Sequence, residues 1–231
     1  MSKYQHICEE AYFANMELPK LGLVSFTFGN VSAADRDLGL FAIKPSGVPY
    51  SELSPAKMVV VDFEGKIVDG DLRPSSDTLT HAVLYKHWEI GGICHTHSKY
   101  ATAWAQAGRD IPLYGTTHAD HATSDIPCAA AMPDETIKSN YEYKTGLQIM
   151  NCLAERKLDY KDAEMLLVAN HAPFTWGLTG AEAVYNSAVL ELIAEMALLT
   201  EQVKPGCERM KDALINKHYE RKHGKNAYYG Q

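Results

Sequence analysis

Residues 91–108 read GGICHTHSKYATAWAQAG, and this stretch predicts a buried strand that leads directly into a helix. A short apolar run precedes His95 and His97, and the helical pattern that follows them ends at Gly108. Residues i and i+2 of a strand point to the same face, so the two imidazoles are expected to lie side by side. Neutral imidazole is a common zinc ligand, and the pair therefore predicts a metal site, unless it is a coincidence among ten histidines.

Predicted strands and helices alternate on both sides of this stretch. The segments MVVVD and KIVDG, joined by a short FEG turn, predict a hairpin, which argues against an all-parallel sheet. Further strands are predicted at 23–28, 39–44 and 164–170, and helices at 3–18, 75–88, 98–108, 143–157, 180–203 and 208–223. We expect one domain over residues 1–231, with an α/β fold of three layers in which helices flank a central, mainly antiparallel sheet.

Composition limits the functions that are open to this chain. The formal net charge of −7 is unfavourable for a nucleic-acid binder, but a phosphorylated small molecule needs only a local positive site. The five scattered cysteines form no metal or disulfide pattern and predict reduced thiols in a cytoplasmic protein. The sequence has no apolar run of about 18 residues and no signal peptide, so no membrane partner is expected.

Two more side chains are candidates for the metal site. His171 follows a second predicted strand, in the segment NHAPFTWG, and two strand ends in one sheet can bring three imidazoles together. Asp77, in the segment PSSDT, supplies a carboxylate at the predicted start of a helix. A catalytic zinc site needs about three protein ligands and an open position, and the residues alone do not decide the third ligand.

Three loops, FGNVS, KPSG and PSSD, have the composition of an anion site. They offer hydroxyls and free backbone N–H groups, Ser75 and Ser76 stand where a helix begins, and Lys44 adds a positive charge. Each loop taken alone is better explained as a turn or a helix cap. Taken together, the loops predict a phosphate site.

Asp120 and Tyr229 are the candidate acid–base residues. Asp120 lies between two histidines in GTTHADHA, where a carboxylate beside a metal can transfer protons, although a solvated loop acid is the commoner case. Tyr229 lies third from the end, and an aromatic tail that packs over a site, on a neighbouring subunit for example, would explain it. The alternative is a basic chain end with tyrosines packed on the surface.

The ordered motifs GNVSA, IKPSGV, RPSSDT, HTHS, WAQAG, GTTHAD, HAPF, NKHY and AYYGQ resemble the class II aldolase/adducin-type family, and within it a branch of sugar-phosphate 4-epimerases. The resemblance runs from about residue 11 to residue 231. It implies a zinc enzyme that acts on a phosphorylated pentulose. It also implies a homotetramer with active sites between subunits, in which the tail 217–231 covers the active site.

Carried over by position, the resemblance gives each candidate a role. The metal ligands are Asp77, His95, His97 and His171; the substrate-binding residues are Gly29, Asn30, Ser46, Gly47, Ser75 and Ser76; the catalytic pair is Asp120 and Tyr229. One departure is visible, since His121 and Ala122 follow THAD where relatives usually carry an aromatic pair. The departure is expected to alter the packing around Asp120 without removing a catalytic group.

The implied reaction interconverts L-ribulose 5-phosphate and D-xylulose 5-phosphate. The hydrogen on C4 is not next to the C2 carbonyl, so C4 is inverted by reversible retro-aldol cleavage of C3–C4, through an enediolate that zinc stabilises. L-arabinose and L-ascorbate catabolism both use this step. Two alternatives stay open: a class II aldolase of the L-fuculose-phosphate type, which carries a glutamate where this chain has Asp77, and a non-catalytic, adducin-like assembly domain.

Overall fold

Eight strands form one sheet in the part of the chain that the computed structural model describes, residues 3–225 and 227–228. The strands are β1 (Asn30–Asp35), β2 (Leu40–Ile43), β3 (Val59–Asp62), β4 (Ile67–Asp69), β5 (Gly92–His95), β6 (Cys128–Ala129), β7 (Met165–Val168) and β8 (Pro173–Gly177). Their order across the sheet is β4-β3-β2-β1-β5-β8-β7-β6. Every neighbouring pair is antiparallel except β6–β7.

Helices cover both faces of this sheet. They are α1 (Gln5–Lys20), α2 (Thr78–His87), α3 (Lys99–Gln106), α4 (Thr116–Ala119), α5 (Asp134–Ile137), α6 (Tyr141–Glu155), α7 (Gly180–Val203) and α8 (Asp212–His223). In β2, Phe41 and Ile43 point into the core shared with α2 and α6, whereas Ala42 points into the core shared with α1 and α7. The layers confirm the predicted fold class, an α/β fold with a mainly antiparallel sheet between helices.

The strand predicted at residues 23–28 is wrong, because the chain forms a loop there and β1 begins only at Asn30. The Phe28 N–H donates to the Ser25 carbonyl at 3.1 Å, and Gly29 has a φ of +73°, a left-handed conformation that suits glycine. β1, with the sequence NVSAAD, lies in the middle of the sheet between β2 and β5. Its small and polar side chains give a weaker strand signal than the preceding LVSFTF.

Gly91 and Gly92 allow the first turn of α7 to pack directly against the start of β5. A Cβ added to Gly92 would collide with the backbone of Thr179 and Gly180, and one added to Gly91 would collide with the Leu178 carbonyl. The two glycines therefore fix the position of β5, and with it the strand end that carries the histidine pair.

We expect Gly92→Ala to lower the free energy of unfolding by about 3 kcal/mol, near the upper end for overpacked sites, because the atoms in the way belong to backbone. Urea unfolding followed by circular dichroism measures this loss. Gly115→Ala is the control, since a Cβ at that position meets no atom within 4 Å. Equal unfolding midpoints for the two variants would contradict the prediction.

Helix α7 is the one helix in the described residues whose length and composition alone would allow it to cross a membrane. It packs against β5, β8 and α3 in the core. Its buried Asn186 donates a hydrogen bond to the Trp176 carbonyl at 2.8 Å. The buried apolar face of α7 is therefore explained by its place in the core of the fold.

Candidate active site

The ends of β5 and β7 bring three imidazoles together. His95 is the last residue of β5, His97 follows two positions later, and His171 lies in the turn between β7 and β8. Because β5 pairs directly with β8, this turn lies beside the histidine pair, and one ring nitrogen from each of the three lies within 4.8 Å of the others. The Nε2 atoms of His95 and His97 are 3.2 Å apart. Two nitrogen ligands of one tetrahedral zinc lie roughly 3.3 Å apart, so the cluster has the geometry of a metal centre.

Two of the three imidazoles, His97 and His171, have a lowered pKa, which favours the neutral form that binds a metal. The His95 Nδ1–H donates to the Pro173 carbonyl at 2.9 Å, so the Nε2 of His95 presents a lone pair to the cluster. Burial, and then the neighbouring His95, lowers the pKa of His171 to about 3. Burial also lowers the pKa of His97. His97 and His171 therefore have no proton to lose at neutral pH before a cation binds.

Asp77 faces the imidazole cluster instead of capping its helix. It occupies the N-cap position of α2, but its side chain makes no cap hydrogen bond. The Asn30 Nδ2–H donates to Asp77 Oδ2 at 2.7 Å, and the same oxygen lies 4.0 Å from His95 Nε2. Burial tends to raise the pKa of Asp77, but His95, His81 and the Asn30 hydrogen bond outweigh it and hold this pKa below its usual range. A fourth, anionic oxygen donor is therefore available to the cluster.

A cavity of about 390 Å³ opens onto the cluster, and the three anion-site loops line it. The Ser46 N–H donates to the Arg73 carbonyl at 2.9 Å, and the Ser75 N–H donates to the Lys44 carbonyl at 3.1 Å, so two of the loops are tied together. All residues predicted to bind substrate line the cavity, together with the four predicted metal ligands: Gly29, Asn30, Ser46, Gly47, Ser75, Ser76, Asp77, His95, His97 and His171. Their roles stay predictions, but the fold places them in one site.

The sequence predicts Lys44 as the positive charge of the phosphate site, and in the structure Lys44 lines the cavity. Its side chain is only 2% exposed, and its Nζ donates to the carbonyls of Thr27 at 3.1 Å and Pro45 at 3.4 Å. It also lies over the Tyr50 ring, 5.0 Å from the centroid. Burial lowers the pKa of Lys44 to about 8. In the described residues its hydrogen-bond partners are backbone carbonyls, so its charge remains available to an anion.

Asp120 is not among the described residues that line this cavity. It lies at the end of α4, where Arg221 and His218 of α8 contact its carboxylate at 3.0 Å each. Burial tends to raise the pKa of Asp120, but Arg221 and His218 outweigh it and keep the group ionised. Tyr229 lies outside the described residues. Within one chain, the structure therefore does not place Asp120 in the lining of the cavity that the imidazoles share.

The chain is similar to known proteins over nearly its whole length. A family model described as Class II Aldolase and Adducin N-terminal domain matches residues 9–198. The L-ribulose-5-phosphate 4-epimerase UlaF of Salmonella paratyphi A is 49% identical over 228 residues, which cover 98% of this chain and 99% of the relative. The UlaF of Salmonella typhi gives the same values. These matches confirm the resemblance that the sequence motifs indicated.

Solved structures show the same fold. An L-fuculose 1-phosphate aldolase superposes with a TM-score of 0.76 at 23% identity, and the match covers 94% of this chain and 95% of the other. The L-fuculose-1-phosphate aldolase of Thermus thermophilus superposes with a TM-score of 0.67 at 23% identity, covering 88% and 100%. At this identity the likeness establishes the fold and leaves the substrate to be argued from the site.

Proposed function

The chain belongs to the class II aldolase and adducin family, and we propose that it is a zinc-dependent L-ribulose-5-phosphate 4-epimerase. As an epimerase it is an enzyme of the isomerase class, and it interconverts L-ribulose 5-phosphate and D-xylulose 5-phosphate in carbohydrate metabolism. The observation that carries the proposal is one cavity that combines three clustered imidazoles with hydroxyl-rich loops and a buried lysine. The similarity to the two UlaF proteins selects this substrate among the sugar phosphates that such a cavity accepts.

The donor set of the cavity fits a divalent metal. His95, His97 and His171 would hold the ion, with Asp77 as an anionic fourth donor. Nitrogen donors with a carboxylate favour zinc over calcium or magnesium, which prefer oxygen ligands. When bound, such an ion supplies Lewis acidity for the negative charge that develops on the sugar.

The loops and the acid–base residues have separate tasks in this reaction. C4 carries no acidic hydrogen, so the C3–C4 bond breaks while a base takes the proton of the C4 hydroxyl, and it forms again on the other face of the aldehyde. Ser46, Ser75 and Lys44 would hold the phosphate, so that the aldehyde fragment stays bound while it turns. Asp120 and Tyr229 would exchange the proton with the C4 oxygen, one on each face.

We propose that the active site is completed by a neighbouring copy of the chain in a homotetramer. Asp120 is not among the described residues that line the cavity of its own chain, so in this proposal a second copy supplies it. Helix α7 exposes an apolar stripe with helical spacing, formed by Leu192, Met196, Leu199 and Val203, which is suited to contact with another copy. In this proposal residues 1–231 form a single domain, and the tail 217–231 covers the site of the neighbour.

A coupled assay for D-xylulose 5-phosphate, with L-ribulose 5-phosphate as substrate, tests the function. Activity should disappear with a chelator and return with Zn²⁺. Faster release of dihydroxyacetone phosphate from L-fuculose 1-phosphate would identify an aldolase instead, and a protein that binds no metal would support an assembly role. The five free cysteines, four of them buried, agree with the cytoplasmic location that we propose.

Lys44→Met is expected to raise the KM about 10- to 100-fold, because a buried hydrogen-bonded charge is lost from the phosphate site. Since burial lowers the pKa of Lys44 to about 8, the free enzyme loses this charge as the pH rises through 8. Inhibition by inorganic phosphate should therefore weaken above pH 8 in the parent enzyme and lack this step in the variant. Lys66→Met is the control, because Lys66 is an exposed lysine in the turn between β3 and β4. An unchanged phosphate inhibition constant in Lys44→Met would contradict the assignment.

A further inference from the structure

We propose that Tyr141 is a positioning residue for the metal centre: its hydroxyl accepts a hydrogen bond from His171 Nδ1–H and keeps His171 Nε2 directed at the cluster. The hydroxyl lies 3.4 Å from His171 Nδ1, and the two rings are in contact with centroids 6.2 Å apart. Tyr141 is not among the described residues that line the cavity. We therefore expect Tyr141 to act on the imidazole and not on the substrate.

The chemistry of the imidazole explains why such a partner is needed. A neutral ring that binds a metal through Nε2 carries its only proton on Nδ1, and this N–H needs an acceptor that fixes the ring. For His95 the acceptor is the Pro173 carbonyl, at 2.9 Å. For His171 the Tyr141 hydroxyl stands in the equivalent place. The phenol oxygen of Tyr141 carries lone pairs that can accept this N–H.

Helix α6 holds Tyr141 in this place, because its first turn is fixed on α2. The Thr80 hydroxyl of α2 donates to the Glu142 carbonyl at 2.6 Å, and the Thr145 hydroxyl donates to the Tyr141 carbonyl at 3.0 Å. Gly146 permits the close approach of the two helices, since a Cβ there would lie 2.7 Å from Val83 Cβ. The helix that begins next to Asp77 thus also anchors the helix that carries Tyr141.

His171 has little else to orient its ring. It lies in the turn between β7 and β8, after Asn170 with a φ of +59°, and its backbone N–H donates to the Val168 carbonyl at 3.0 Å. Its described ring contacts are with Tyr141, Phe174 and the other two imidazoles of the cluster. Loss of the Tyr141 hydroxyl would leave these ring contacts in place but remove the hydrogen bond at Nδ1, so Nε2 would be held less firmly toward the cluster.

Tyr141→Phe tests the inference, because it removes the hydroxyl and keeps the ring. We expect the affinity for Zn²⁺, measured by competition with a chromogenic chelator, to fall about 10- to 100-fold, as is typical of partners that orient a ligand. The absorption bands of bound Co²⁺ should shift as the geometry changes. Tyr143→Phe is the matched control: it removes a hydroxyl two residues further along α6, where the side chain is 39% exposed.

The melting temperature of the metal-free protein separates orientation from packing. It should be equal in Tyr141→Phe, Tyr143→Phe and the parent protein. An unchanged Zn²⁺ affinity in Tyr141→Phe, or a metal-free melting temperature that falls as far as that of the loaded protein, would overturn the inference. The inference rests on the metal centre of the proposed function, yet metal binding is measured without substrate. A protein that fails the epimerase assay can still pass this test, and the two failures are distinguishable.

Discussion

His97→Asn is expected to abolish stoichiometric metal binding and to lower kcat/KM for epimerisation by about a thousandfold, which corresponds to roughly 4 kcal/mol of transition-state stabilisation. Its Nε2 lies 3.2 Å from His95 Nε2, and without it the cluster keeps two nitrogen donors and one carboxylate. His97 is the most solvent-exposed of the three imidazoles, so asparagine at this position should leave the fold intact. Elemental analysis of the purified protein and the coupled assay measure the two effects.

His87→Asn serves as the control for this substitution, because His87 is an exposed histidine in the last turn of α2. It should keep both metal and activity. A His97→Asn protein that retains one tightly bound metal per chain would show that His97 is not a ligand. If the metal is lost and turnover persists, the metal has a structural role, and the proposed chemistry is wrong.

The imidazole cluster could be predicted because its information is local. The spacing of His95 and His97 fixes their common face as soon as β5 is recognised as a strand. The place of His171 after a second apolar run then needs only the assumption that both strands belong to one sheet, which the pairing of β5 with β8 satisfies. The loops of the anion site have recognisable turn residues for the same local reason.

The remaining parts of the fold depend on contacts that are distant in the sequence. β1 is a strand because β2 and β5 hydrogen-bond to both of its edges, and NVSAAD carries little strand signal of its own. β8 begins with Pro173, which weakens the pattern of a strand. The Asp77 side chain does not cap α2, and its carboxylate accepts a hydrogen bond from Asn30, 47 residues away. The periodicity of the sequence does not reveal which distant residues form these contacts.

The position of Asp120 is the clearest example, and it leads to the second large effect. The resemblance makes Asp120 a candidate acid–base residue, whereas in the structure Arg221 and His218 of α8 contact its carboxylate. Asp120 is not among the described residues that line the cavity of its own chain. We expect Asp120→Asn to keep its metal and to lower kcat about a thousandfold, through loss of an acid–base group. Asp125→Asn is the control, because it also loses an ion pair with an arginine, Arg209 at 3.1 Å.

Co-expression of His97→Asn with Asp120→Asn chains tests whether one site draws on two chains. Each variant alone should be inactive. In a mixed assembly, an Asp120→Asn chain supplies intact imidazoles and an adjacent His97→Asn chain supplies an intact Asp120, so about a quarter of the sites regain both groups when chains combine at random. Recovery of activity on that scale requires sites shared between chains. No recovery, in assemblies shown by mass to contain both chains, would mean that Asp120 acts within its own chain or not at all, and then α8 would have to move before the reaction could take place.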